Sequence, residues 1–161
     1  MYKINDYVIY RHNVCKIKDI KEKNLNNKAC YVMSPIDDDS LTINVPIENE
    51  NSLLRNIISK QAAEKLINNI INIKPLYNIN DKNLDNVYKE LLNEASHESL
   101  IKIIKTTYIR NQNRVNNNKK ISEKYDMFFK LAKKYLYNEL SVSLNKSIED
   151  VKKYIEEKIN N

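Results

Sequence analysis

Leu41-Thr42-Ile43-Asn44-Val45-Pro46 decides the fold of the first part of this chain: Leu41, Ile43 and Val45 share one face, and Thr42 and Asn44 the other. A period of two belongs to a half-buried strand, and Pro46, with no N–H to give a ladder, should stop it. Upstream, Tyr7-Val8-Ile9-Tyr10 is short and apolar, Val14 to Ile20 largely alternates, and Ala29 to Met33 reads as a third strand closed by Ser34-Pro35. Turn chemistry separates them at Asn24 to Asn27 and at Asp37-Asp38-Asp39-Ser40. Four short antiparallel strands predict a small, strongly bent barrel-like sheet around one filled core.

Downstream the apolar period lengthens from two to about three and a half, which is helical. The change falls between Asn51 and Ser59. Lys60 to Ile73 should form one amphipathic helix with Ala63, Leu66, Ile67, Ile70 and Ile71 on a face, ended by Pro75. A second is expected from Asp81 to about Asn93 with Leu84, Val87, Tyr88, Leu91 and Leu92 inward. A third, N-capped by Ser96, is expected from Glu98 to Arg110 around Leu100, Ile101, Ile103, Ile104 and Tyr108. Asn111 to Lys120 lacks an apolar period and reads as a loop. A fourth helix follows Ser122 with Tyr125, Phe128, Phe129, Ala132, Tyr135, Leu136 and Leu140, and a fifth opens at Ser147-Ile148-Glu149-Asp150 and buries Val151, Tyr154 and Ile155. The expected fold is α+β: a small antiparallel barrel over residues 1–58, then an all-helical domain of about five helices over 59–161.

The 161 residues contain no Gly and no Trp. Phosphate loops and dinucleotide fingerprints need backbone without Cβ, so both are excluded. Positions with φ > 0 should fall to Asn or Asp, which tolerate that region best among the other residues. With 42% hydrophobic and 30% charged residues the chain can bury a core. The net charge of +6 favours an acidic partner, although an Asn-, Lys- and Ile-rich composition accounts for part of it.

Catalytic and metal chemistry find no frame. His12, Cys15, Cys30 and His97 lack zinc spacing and read as solvated histidines and buried, reduced thiols. Asp37-Asp38-Asp39 lies in a turn, where carboxylates ordinarily bond their own backbone. No enzyme activity, cofactor or metal is expected. The N-terminus lacks a cationic start with an apolar core and no apolar run reaches membrane length, so a cytoplasmic protein is expected. The strongest chemical signal is basic: Arg110, Arg114, Lys119, Lys120 and Lys124, followed by Lys130, Lys133 and Lys134. Such a cluster is either a solvated face or a phosphate-binding one, and the Asn-rich stretch adds amides that also reach phosphate oxygens.

Tyr2 to Tyr10, Tyr31-Val32-Met33, Leu41 to Asn49 and Leu54 to Ser59 resemble, in order and spacing, the CarD and CdnL family of bacterial RNA polymerase-binding regulators. Tyr108-Ile109-Arg110, Ile121 to Lys124 and Lys130 to Leu140 resemble its later helices. The resemblance implies a Tudor-like barrel docked on the polymerase β-subunit lobe and a helical domain at promoter DNA, beside the upstream edge of the melted bubble. Modulation of open-complex stability is implied, and a monomer in solution is expected. Candidate polymerase contacts are Lys21, Thr42, Ile43, Asn44 and Pro46; an edge strand there would offer unpaired backbone groups to a partner strand. Candidate DNA contacts are Tyr77, Lys82, Arg110, Arg114, Lys119, Lys120, Lys124 and Lys130. Several family features are altered. Asn44 stands where relatives often carry arginine, Asn5 and Asn13 replace glycines, and Asp81 falls near the family's wedge tryptophan, with Tyr77 the nearest aromatic. An insertion around Val115 to Asn118 lengthens the segment before the fourth helix. The alternatives are a polymerase-bound adaptor whose helices bind a protein partner and no longer touch DNA, and a free-standing non-specific nucleic-acid binder.

Overall fold

The structure is a computed structural model that describes residues 1–23, 26–77 and 79–160. The chain divides into two compact units, Met1–Ser59 and Lys60–Asn161. Of the turn expected at Asn24 to Asn27, Asn24 and Leu25 lie outside the described residues.

The first unit holds five antiparallel strands, β1 Tyr7–Tyr10, β2 Asn13–Lys21, β3 Cys30–Pro35, β4 Ile43–Pro46 and β5 Leu54–Asn56, in the order β4-β3-β2-β1-β5. They curl into a half-barrel. The β2–β3 register shifts between Ile17 and Asp19, and an extra residue there bends the strand. Val8, Cys15, Ile17, Tyr31, Met33, Val45 and Leu54 fill the concave side. Cys15 and Cys30 are free, buried thiols, as their surroundings in the sequence suggest. The fifth strand was not expected: three residues after a single-turn helix, α1 Glu50–Leu53, are too few to display a period.

β4 begins later than its alternation predicts. Leu41 is half exposed, and its N–H donates to the Asp38 carbonyl (3.3 Å), so the acidic turn takes it from the strand. That turn bonds itself, the Asp38 carboxylate accepting from the Ser40 N–H at 3.1 Å. β3 likewise continues through Ser34 and Pro35, which pair with Lys16 and Cys15.

Without glycine, seven described residues adopt positive φ: Asn5, Arg11, His12, Asn27, Ala95, Asn118 and Asn145. Asparagine takes four of them, as expected. Arg11 and His12 (φ 46° and 72°) form the two-residue β1–β2 hairpin, where the primed turn needs φ > 0 twice. Asn13 is therefore not itself left-handed; its side-chain amide donates to the Arg11 carbonyl at 3.2 Å.

The second unit contains α2 Lys60–Asn68, α3 Asp81–Glu94, α4 His97–Asn116, α5 Asp126–Leu144 and α6 Ile148–Asn160. The helix expected through Ile73 stops at Asn68 and a 3-10 turn, Ile70–Asn72, follows. The tighter turn buries Ile70 and rotates Ile71 outward, leaving it 54% exposed. A two-residue link, Ala95-Ser96, joins α3 to α4: Ala95 is left-handed, and the Ser96 hydroxyl accepts the Ser99 N–H at 3.1 Å.

The loop expected from Asn111 is instead helix as far as Asn116. An apolar period marks burial, not helicity, and an exposed polar turn can extend a helix that is already nucleated. The end is closed by Asn117 and Asn118: the Asn117 amide donates to the Asn113 carbonyl (2.8 Å), and the Lys119 N–H to that of Arg114 (2.7 Å). A 3-10 turn, Glu123–Tyr125, leads into α5, and the Ser147 hydroxyl caps α6 through the Asp150 N–H at 3.1 Å.

α4 is enclosed over much of its length, burying Lys105, Thr106 and Thr107 as well as Leu100, Ile101, Ile103 and Ile104. The Lys105 ammonium donates to the carbonyls of Ile70 (2.8 Å) and Ile73 (2.9 Å), and Thr106 Oγ1 accepts the Leu76 N–H at 2.9 Å. Tyr88 Oη meets Thr107 Oγ1 at 2.7 Å. His97 is more than a solvated histidine: its Nε2 lies 2.9 Å from the buried carboxylate of Glu139.

Candidate polymerase-docking edge and nucleic-acid face

Among the described residues β4 pairs only with β3, so one side of it is an open sheet edge. The register sets Cys30 opposite Pro46, Val32 opposite Asn44 and Met33 opposite Ile43. Ile47 N–H donates to the Ala29 carbonyl at 3.0 Å, which places the odd-numbered residues in the hydrogen-bonded positions facing β3. The Ile36 N–H to Val14 carbonyl bond (3.0 Å) on the other side of β3 fits the same parity. The N–H and C=O of Asn44 therefore face outward, while Val45 points into the core. Pro46 occupies an outward-facing position too, so its missing donor weakens nothing within the sheet. It ends the strand from inside rather than stopping it from outside.

The candidate polymerase contacts are arranged unequally along this edge. Asn44 is exposed, and Ile43 and Pro46 are half-buried. Lys21 pairs with Cys30, which pairs with Pro46, so the exposed Lys21 side chain ends the same cross-strand row. Thr42 is exposed and lies before β4, outside the ladder. One residue along β3 from that row, Tyr31 Oη accepts the Tyr2 N–H (3.0 Å) and donates to Glu50 (2.5 Å), with the two rings edge-to-face. Burial raises the pKa of both tyrosines, and Glu50 raises them further.

The basic residues of the helical unit separate into engaged and disengaged groups. Arg110 forms an ion pair with Asp81, and Arg114 Nε donates to the Lys120 carbonyl at 2.6 Å. Lys130 pairs with Asp126 at 2.8 Å, and that hydrogen bond raises its pKa. Lys124 lies 5.4 Å from the centre of the buried Tyr125 ring, and Arg110 lies 6.0 Å from it. Lys82, Lys119 and Lys120 are exposed, on the first turn of α3 and after α4. Tyr77 is 67% exposed and shares a shallow cleft with Lys74, Pro75 and Lys102. Sequence reasoning did not find the Asp81–Arg110 pair or the Tyr125 stacking; both join residues far apart in the chain, and no periodicity signals them.

A second groove of about 410 Å³ lies along α4, α5 and α6 and includes Tyr108, Val115, Ile121, Phe129, Lys133 and Lys152. The Lys133 ammonium sits 3.9 Å over the Phe129 ring, and burial, with Lys152 nearby, lowers its pKa. Among the described residues no cluster of His, Cys, Asp and Glu could hold a metal ion, and no helix is long and apolar enough to cross a membrane.

An open-edged half-barrel has the geometry to take up a further strand along its free rim. Residues 2–58 match the family model of the CarD-like/TRCF RID domain, a non-catalytic domain that interacts with the RNA polymerase β subunit. The match covers the β unit and ends before the helical one. No curated protein matches the chain.

Proposed function

We propose that the chain is a non-enzymatic transcription regulator that docks on the β-subunit lobe of RNA polymerase through β4 and modulates the promoter open complex through its helical unit. The single observation carrying this is the open β4 edge inside the segment that matches the polymerase-interacting domain. Strand addition there uses the Asn44 N–H and C=O for affinity, with Lys21 and Pro46 fixing the end of the register. Asn44 is uncharged, so docking rests on backbone pairing and shape more than on ions.

The helical unit, in this reading, meets DNA beside the upstream edge of the bubble through Lys82, Lys119, Lys120, Lys124 and the two arginines, with Tyr77 as the exposed aromatic. Binding the open state about 1.4 kcal/mol more tightly than the closed one shifts their balance tenfold with no chemistry. The chain acts as a monomer.

The test uses the full chain. Asn44→Pro removes an outward N–H and no bond to β3, so the variant folds and loses binding to the isolated β lobe; undiminished binding refutes β4 docking. Lys119→Glu with Lys120→Glu keeps lobe binding and shortens or abolishes the effect on open-complex lifetime. A second reading has its own observation, the α4–α5–α6 groove with Val115 and Ile121 half exposed. There the helical unit holds a protein partner, and the lysine pair has no effect at promoters.

A further inference from the structure

The start of α3, the second half of α4 and the turn before α5 enclose a small concavity lined by Asp81, Thr107, Arg110, Arg114, Ser122 and Tyr125. Arg110 and Arg114 stand one helical turn apart, so both guanidinium stems approach the same side of α4. Tyr125 backs the concavity; its hydroxyl donates to the Asp81 carbonyl at 3.0 Å, and Arg110 and Lys124 both lie near its ring. The anion in this cationic place belongs to the chain: the Asp81 carboxylate accepts from Arg110.

A carboxylate and a phosphodiester present the same pair of charged oxygens to a guanidinium fork. We infer that Asp81 is a built-in competitor for the backbone phosphate of DNA, so that Arg110 engages nucleic acid only by giving up its internal partner. The inference rests on the reading that the helical unit contacts DNA. The pair is open to solvent, with Asp81 74% and Arg110 39% exposed, so the exchange is easy and its effect on affinity is a few-fold. The device restrains the arginine on ordinary duplex and releases it where other contacts, such as polymerase docking, already hold the DNA close.

The experiment measures binding of the full chain to a fluorescent duplex with a mismatched bubble, across a range of salt. Asp81→Asn tightens binding by about three- to fivefold and steepens the slope of log K against log salt by about 0.9, the signature of one added phosphate contact. Asp85→Asn, which frees Lys89 from its 3.1 Å pair on the same helix and changes net charge equally, gives a smaller gain. In an Arg110→Gln background the Asp81→Asn gain disappears. A gain no larger than that of Asp85→Asn, or one that persists without Arg110, overturns the inference while leaving DNA contact intact. Absence of DNA binding by every form at every salt concentration refutes the DNA reading itself, and the inference falls with it.

Discussion

The two units hold their chain ends in different ways. In the β unit, polar groups sit at the margins of an apolar core: Tyr31 reaches outward to Tyr2 and Glu50, and the strands are placed by alternation and register. In the helical unit the decisive polar groups are inside. Lys105, Thr106 and Thr107, consecutive and buried on α4, hold the turn after α2, the segment leading to Tyr77, and α3. The difference shows that a strand is placed by what it repeats, whereas the irregular segment after a helix is placed by whichever side chain satisfies its carbonyls.

The largest expected effect tests this directly. Lys105→Met leaves buried carbonyls of Ile70 and Ile73 without a charged donor, and should cost about 3 kcal/mol in urea unfolding of the helical unit. A loss under about 1 kcal/mol, within the usual range for a surface change, would mean that apolar packing alone holds this turn and would break the comparison.

Next comes an alkaline weakness in the β unit. Burial pushes the Cys15 thiol from its ordinary 9.0 up to about 11. Below pH 9 it is protonated in both folded and unfolded chains, and its contribution is complete. As pH rises towards 11 the unfolded chain releases the proton first, so stability falls by on the order of 2 kcal/mol. Cys15→Ala should flatten that fall, and an unchanged pH profile would locate the titrating group elsewhere.

Tyr31→Phe should cost about 1 kcal/mol, because the partners it abandons, Glu50 and the Tyr2 N–H, are near enough to the surface to find water. A loss equal to that of Lys105→Met, seen by calorimetry, would erase the distinction between marginal and internal polar groups. The smallest effect has the opposite sign. Ala95 is held at φ 48°, where a Cβ is unfavourable, and Ala95→Gly should stabilise the α3–α4 link by about 0.5 kcal/mol in the same assay.

Legibility followed the same division. Ile17 and Val45 could be placed by alternation, and Val8 and Met33 by short apolar runs bounded by turns, while β5 was invisible because three residues carry no period. Among the helices, Leu84, Ile103 and Leu136 were legible from spacing. The turn that follows Asn68 was not, because its carbonyls are held by Lys105, thirty-odd positions away, whose type ordinarily signals solvent. The extension of α4 through Asn116 was missed for a related reason: its exposed turn has nothing to bury. Of the candidate site, the outward position of Asn44 followed from the strand pattern. The pairing of Arg110 with Asp81 did not, since the two are neighbours only in the folded unit.

The imino acid at the end of β4 also bears on solubility. An uncovered strand invites its own kind, and two copies aligned along this edge would find Asn44 able to exchange bonds but Pro46 able only to accept. Identical edges thus have too few donors to zip together, whereas a foreign strand that brings its own N–H groups can use both carbonyls. The rim left open to a foreign strand is thus a poor one for fibre growth.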